Sequence, residues 1–340
     1  MKRGLIASAF AASLFAACGG GGSDSAELQA TAELQKKNLE GRASNGNAFD
    51  KDKDKDKDKD KDKDDKANHG NAFGKDKQSK PPKNGGSPPP GQEIVFGNVP
   101  RFDAATGILY GSRGNDSLSS ASAVRVMMGG PGNDVYAVLR ETDQIIERAG
   151  EGVDTVVSAV DYALPEHVEN MEANDVPKVS VLKFWGNSLN NRIVGHQFTP
   201  TTIYGGAGDD VLEVGTRGGG HLFGGEGNDT LILSYGSAAG GAGADLFIAK
   251  GHGAHTSPDV PLLLTDFNGE AGDRIQIRHI DMNLTTQELF DQNWMTFDPT
   301  AGELIVWQLQ DVRNPRAVRQ VIVLKGVTRL DYSWVKVGPD

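Results

Sequence analysis

Large apolar residues in the middle of the chain stand singly and far apart. Leu118, Tyr136, Leu212, Leu231 and Phe247 each lie two positions after an aspartate. The three residues centred on each predict a short strand whose middle side chain points inward. Toward the C-terminus the pattern thickens. ELIVWQLQ (Glu303 to Gln310) and RAVRQVIVLKGV (Arg316 to Val327) are rich in β-branched and large apolar residues. They predict an antiparallel pair joined through DVRNP, with a short helix in TTQELFDQNWM (Thr285 to Met295). Residues 278–340 therefore read as an antiparallel cap, needed because a stack of strands otherwise ends in an open edge.

Glycine fills the positions before each strand. The units are GSRGNDSLS (Gly111 to Ser119), GGPGNDVYA (Gly129 to Ala137), GGAGDDVLE (Gly205 to Glu213), GGEGNDTLI (Gly224 to Ile232) and GGAGADLFI (Gly240 to Ile248). They follow G-G-x-G-x-D-x-U-x, U being large and apolar, which is the nonapeptide of calcium-binding β-rolls. Glycines in the first six positions allow positive φ and close backbone approach. Turned carbonyls and the sixth-position carboxylate then offer hard oxygen ligands, which select calcium over zinc. The candidate ligands are the loops opened by Gly111, Gly129, Gly205, Gly224 and Gly240, with the carboxylates of Asp116, Asp134, Asp210, Asp229 and Asp245.

The units between these motifs lack the acid. SASAVRVMM places Arg125 at the metal position and GTRGGGHLF places Gly220 there, while Leu222 still supplies an inward residue. Two nonapeptides make one turn, so the weak units fall on the opposite side and the roll is one-sided. Asp210, Asp229 and Asp245 should stack along one edge with about two shared ions. Asp116 and Asp134 should form a separate pair with about one. GNSLNNRIV (Gly186 to Val194) reads as a capping turn, with Asn191 in the metal position.

EGVDTVVSAVDYALPEHVENME (Glu151 to Glu172) and LLLTDFNGEAGDRIQI (Leu262 to Ile277) strengthen the match. With the nonapeptides they resemble the repeats-in-toxin family, the haemolysin-type calcium-binding proteins. A similar roll forms the C-terminal domain of serralysin-like proteases. The resemblance spans about half the chain. It implies an all-β fold, a parallel β-roll over residues 92–277 with Ca2+ in its loops. It also implies that TDFNGEAGDRI closes the roll, with Asp266 or Asp273 completing a terminal site. Asp154, in GEGVD, keeps only part of the motif, and Asp209 should face solvent.

Ahead of the roll the pattern differs. A basic start, MKR, precedes a 14-residue run of apolar and small residues, Gly4 to Ala17. This fits a signal peptide over 1–17 and is too short to span a bilayer. The run ends LFAAC, which resembles a bacterial lipobox and makes Cys18, the sole cysteine, a candidate lipidated N-terminus. Gly19 after it favours the outer membrane by that resemblance. Residues 18–91 read as a disordered linker: GGGGSDS, then DKDKDKDKDKDKDKDDK (Asp50 to Lys66), then PPKNGGSPPPG (Pro81 to Gly91). Such segments have too little to bury to offset their ordering entropy. The Asp-Lys block lacks the glycine and the closing glutamate of an EF-hand loop.

The net charge of −11 argues against nucleic acid as a partner. With a single cysteine, no intramolecular disulfide can brace the fold. HExxH, G-x-S-x-G and the P-loop signature are all absent. His252 and His255 sit among glycines rather than on a helix. The expectation is thus a non-catalytic, surface-tethered, calcium-binding lipoprotein with a structural or adhesive role and an unidentified glycan or protein partner. The alternative is a hydrolase or glycan-modifying enzyme carrying a repeats-in-toxin module, with a site in Thr155 to Asn191.

Overall fold

The computed structural model describes residues 97–120, 124–174, 181–215, 217–250, 261–278, 284–308 and 318–338. The signal segment, Cys18, the linker, His252, His255 and the DVRNP turn lie outside the described residues. Among the described residues there is no helix long and apolar enough to cross a membrane.

The fold is all-β. Each three- to four-residue strand predicted around a lone apolar residue joins one long parallel sheet of ten strands. Its order runs from Ser117–Ser119 through Val135–Val138, Thr155–Ser158, Asn170–Ala173, Arg192–Val194, Val211–Glu213, Thr230–Leu233, Leu246–Ala249 and Arg274–Ile277 to Val335–Val337. Its register is that of a roll. Leu118 sits beside Tyr136, Tyr136 beside Val156, and Val156 beside Met171. Ile193, Leu212, Leu231, Phe247 and Ile275 continue the row. Every one of these side chains is at most 1% exposed. Stacking is what buries them, because a three-residue strand has no core of its own.

The weak units form the opposite face, as the spacing requires. Val126–Met128 belongs to a four-stranded sheet with Arg101–Asp103, Ile108–Tyr110 and Gln144–Ile145. Tyr162–Ala163, Leu182–Trp185, Thr201–Ala207, Gly220–Glu226, Gly236–Ala242 and Leu262–Leu264 belong to a nine-stranded sheet. On that sheet Trp185, Tyr204 and Phe223 share a register and stack nearly parallel, with centroids 5.9 and 4.9 Å apart.

GNSLNNRIV is not a cap. Its strand pairs in parallel on both sides, with Asn170–Ala173 and with Val211–Glu213. Asn191 therefore occupies an interior turn, and the two groups of nonapeptides belong to one uninterrupted sheet.

Both ends are closed by antiparallel strands. At the N-terminal end Arg101–Asp103 turns back on Ile108–Tyr110. At the C-terminal end Glu303–Gln308 pairs antiparallel with Val318–Leu324 and with Met295–Asp298. Val318–Leu324 also lies parallel to Leu262–Leu264, and Val335–Val337 parallel to Arg274–Ile277. The cap thus prolongs both faces of the roll. The expected helix, α1 (Thr286–Asp291), starts at a capping box in which Thr285 and Glu288 exchange side-chain and backbone hydrogen bonds.

Candidate metal centre

Every motif loop leads from the weak-unit face into the long sheet, so all the sixth-position residues line one edge. Parallel strands are ~4.8 Å apart, and that spacing sets the distance between successive loops. Within the GGEGND loop, Gly225 and Gly227 both take φ 126°, a left-handed region open to glycine. Gly224 answers a different demand: a β-carbon there would overlap the Asp229 carboxylate, which folds back over its own loop.

Two hydrogen-bonded ladders run along the edge in opposite senses. In the inner one, which comes in two runs, the backbone N–H of a sixth-position residue donates to the side chain of the next turn. Asp116 donates to Asp134 Oδ1 (2.7 Å), Asp134 to Asp154 Oδ1 (2.7 Å) and Asp154 to Glu169 Oε2 (2.8 Å). Asn191 donates to Asp210 Oδ1 (2.7 Å), Asp210 to Asp229 (2.8 Å), Asp229 to Asp245 (2.9 Å) and Asp245 to Asp273 (3.0 Å). In the outer ladder, fifth-position N–H groups donate backward, Asn133 to Asn115 Oδ1 and Asn228 to Asp209 Oδ1. Asp209 is exposed, as its position before the ligand predicts.

Each ladder bond uses one carboxylate oxygen. In four of these residues the other is left over. Oδ2 of Asp134, Asp210, Asp229 and Asp245 is buried and has no hydrogen-bond partner. All four residues are at most 2% exposed. Burial, followed by the charge of neighbouring carboxylates, pushes Asp134 and Asp229 up to about 6 and Asp210 up to about 7. Asp245 is raised for the same reasons. A buried carboxylate oxygen without a donor is costly unless a cation meets it. The donor set is entirely oxygen, which suits a hard divalent cation.

In the nonapeptide loops and in GNSLNNRIV, the second position separates the carboxylates left this way from the residues satisfied by their own loop. In the four loops with an unpartnered Oδ2 it is Gly130, Gly206, Gly225 or Gly241, all at positive φ. In two others it is not glycine, and its N–H turns inward. Ser112 N–H donates to Asp116 Oδ2 at 2.5 Å, and Asn187 N–H to Asn191 Oδ1 at 2.8 Å. Those two oxygens are satisfied by their own loops.

The edge holds more acids than the nonapeptides reveal. Asp154 belongs to the column and is 1% exposed, with burial pushing it up to about 7. Glu169 takes the same position in the next turn. Asp273 continues the column beyond Asp245, so Asp245 is not its last member. Asp266 is exposed and stands beside the column, accepting the N–H groups of Gly240 and Gly241 at 3.0 Å each. It closes the last loop. The expected pair of Asp116 and Asp134 is therefore extended to Asp154 and Glu169, and this run lies along the same edge as the run from Asn191 to Asp273. Sequence reasoning also missed Glu147. Burial and then the charges of Asp154, Glu151 and Asp134 push it up to about 9. Its signal was a longer spacing, 20 residues between Asp134 and Asp154 against 18 between Asp116 and Asp134.

In Thr155 to Asn191, where a catalytic site was the alternative, the described residues build strands of both faces and members of the column.

No family model matches the chain. Two curated proteins of Rhizobium meliloti (strain 1021) are similar to part of it. Endo-1,3-1,4-beta-glycanase ExsH is 36% identical over 109 residues, 31% of this chain and 23% of that protein. Endo-1,3-1,4-beta-glycanase EglC is 37% identical over 89 residues, 26% of this chain and 18% of that protein. The chain thus spans less than a quarter of the length of these relatives. Both are named as glycanases, and this finding overturns the expectation of a chain without catalytic activity: the alternative, a glycan-modifying enzyme with a repeat module, fits it better.

Proposed function

We propose that this chain is a glycan-acting protein whose β-roll is held together by calcium. The observation that carries the metal is the row of buried Oδ2 atoms at Asp134, Asp210, Asp229 and Asp245, each without a donor. Calcium between successive loops would meet these oxygens together with loop carbonyls, and would offset the repulsion of stacked carboxylates. The glycan class rests on the two glycanases to which the chain is similar. The N-terminal run and Cys18 complete the proposal, with export and a lipid anchor at an outer membrane.

Purified full-length chain, incubated with a 1,3-1,4-β-glycan in millimolar calcium, should release reducing ends, and chelator should abolish the release by loosening the roll. No release in either condition overturns the glycan reading. Calcium titration of the same sample judges the metal reading separately. Palmitate labelling of wild type against Cys18→Ala tests the anchor, and equal labelling of the two would remove it.

A further inference from the structure

One cluster on the metal edge does not follow the repeat. Asp134, Glu147 and Asp154 each place a carboxylate oxygen within 4.8 Å of the other two, and all three residues are buried. Glu147 comes from outside the sixth-position column. Val126 and Met127 pair with Gln144 and Ile145, so two residues further on Glu147 falls opposite Gly129. It stands where the other loops carry their first glycine. The two extra residues between Asp134 and Asp154 make room for its side chain.

The side chain is fixed at one oxygen and free at the other. Glu147 Oε1 accepts the Tyr136 hydroxyl and, at 3.3 Å, the N–H of Gly129. The Tyr136 oxygen in turn accepts the same N–H at 2.8 Å. Glu147 Oε2 has no partner, though the residue is only 7% exposed. Asp134 Oδ2 is unpartnered beside it. Among the described residues no lysine or arginine forms an ion pair with any of the three.

We propose that Asp134, Glu147 and Asp154 form a three-carboxylate calcium site, where the Asp134 loop gains a ligand that the other repeat sites lack, and that this site binds most tightly and fills first. Calcium takes its oxygens at ~2.3–2.6 Å, so ligands across one ion lie at most ~5 Å apart. The 4.8 Å limit of the cluster meets that span. Ligand charge tunes calcium affinity, and this cluster brings three carboxylates to a position where the repeat loops bring two. The site rests on the reading that the edge takes calcium, but it makes a claim about one glutamate that the reading does not.

The test is a calcium and terbium titration of chelator-stripped full-length protein, read by equilibrium dialysis and by tyrosine-sensitised terbium emission. Wild type should show one ion bound at least about tenfold more tightly than the rest. Glu147→Gln should abolish that tight class and keep the weaker ones, while Asp229→Ala should do the reverse. Tyr136→Phe should retain the tight ion but lower its sensitised emission, because the hydroxyl touches the ligating glutamate. A Glu147→Gln protein that keeps the tight class overturns the proposal and leaves the calcium reading standing. Should that variant fail to fold, unchanged emission of the tight ion in Tyr136→Phe overturns the proposal instead. Wild type that binds no calcium removes both.

Discussion

Asp143 and Asp229 are equally buried, at 2% and 1% exposure, on opposite edges of the roll. Asp143 sits in a turn from the long sheet back toward the weak-unit face. There it accepts the Ser120 hydroxyl, the N–H groups of Leu139 and Arg140, and the Arg140 guanidinium at 3.0 Å. Burial pushes its pKa up, but these donors outweigh it and hold the carboxyl below its ordinary value. Asp229 accepts one backbone N–H and keeps a bare Oδ2, and its pKa rises to about 6. The difference lies in the donors rather than in depth. One edge satisfies its carboxylate from the protein, and the other leaves the second oxygen for something the chain does not supply.

Removing calcium should produce the largest contrast. About three sites, each at tenfold its dissociation constant or more, would contribute at least ~1.4 kcal/mol apiece, or ~4 kcal/mol or more together. For a domain of this size that is about 10 °C in Tm. Scanning calorimetry in millimolar calcium and in chelator measures it, and coincident melting curves would falsify the calcium reading.

Single substitutions should separate the edges next. Asp143→Asn should destabilise by ~2 kcal/mol, the scale of lost hydrogen bonds to a charged group, equally with and without calcium. Asp229→Ala should instead remove most of its effect once chelator is present, because two ions would share this residue. Asp245→Ala should behave like Asp229→Ala, since the column continues to Asp273. Denaturant melts of the three variants in both buffers would reveal an Asp143 variant that responds to calcium, which would break the comparison.

A gain of function should be smaller. Ser112→Gly would let the second position of the first loop turn as it does in its neighbours, freeing Asp116 Oδ2 from the Ser112 N–H. Stoichiometry by equilibrium dialysis should rise by up to one ion. An unchanged count would show that the second position does not govern binding.

The last contrast is that of pH on the metal-free roll. The folded pKa values of Asp134, Asp154, Asp210 and Asp229, about 6 to 7, lie above the ordinary 3.8. The folded chain therefore holds more protons than the unfolded one between those limits. This contribution is fully present below about pH 4 and is lost as pH rises through 6 to 7. In chelator the roll should melt higher at pH 5 than at pH 7.5. In saturating calcium the order should reverse, because protons then compete with metal. The same pH order in both buffers would separate the carboxylates from the metal.

The repeats made the roll legible before any coordinate. Lone apolar residues two positions after each aspartate forced short strands that only stacking could bury, and the 18-, 19- and 16-residue intervals put the strong loops on one side. Leu118, Tyr136, Leu212, Leu231 and Phe247 all point inward for that reason. What the spacing hid was turns of irregular length. Asp154, Glu169 and Asp273 join the column at intervals of 20, 15 and 28 residues from the preceding member, which no nonapeptide count predicts. Their place is decided by strand register, and register comes from burying Val156, Met171 and Ile275 in the same row. Tertiary structure likewise decided which carboxylate oxygens lack a donor. Sequence names the aspartate and the glycine, serine or asparagine four positions before it, but only the folded turn brings an N–H to the second oxygen, as that of Asn268 meets Asp273 Oδ2 at 2.8 Å.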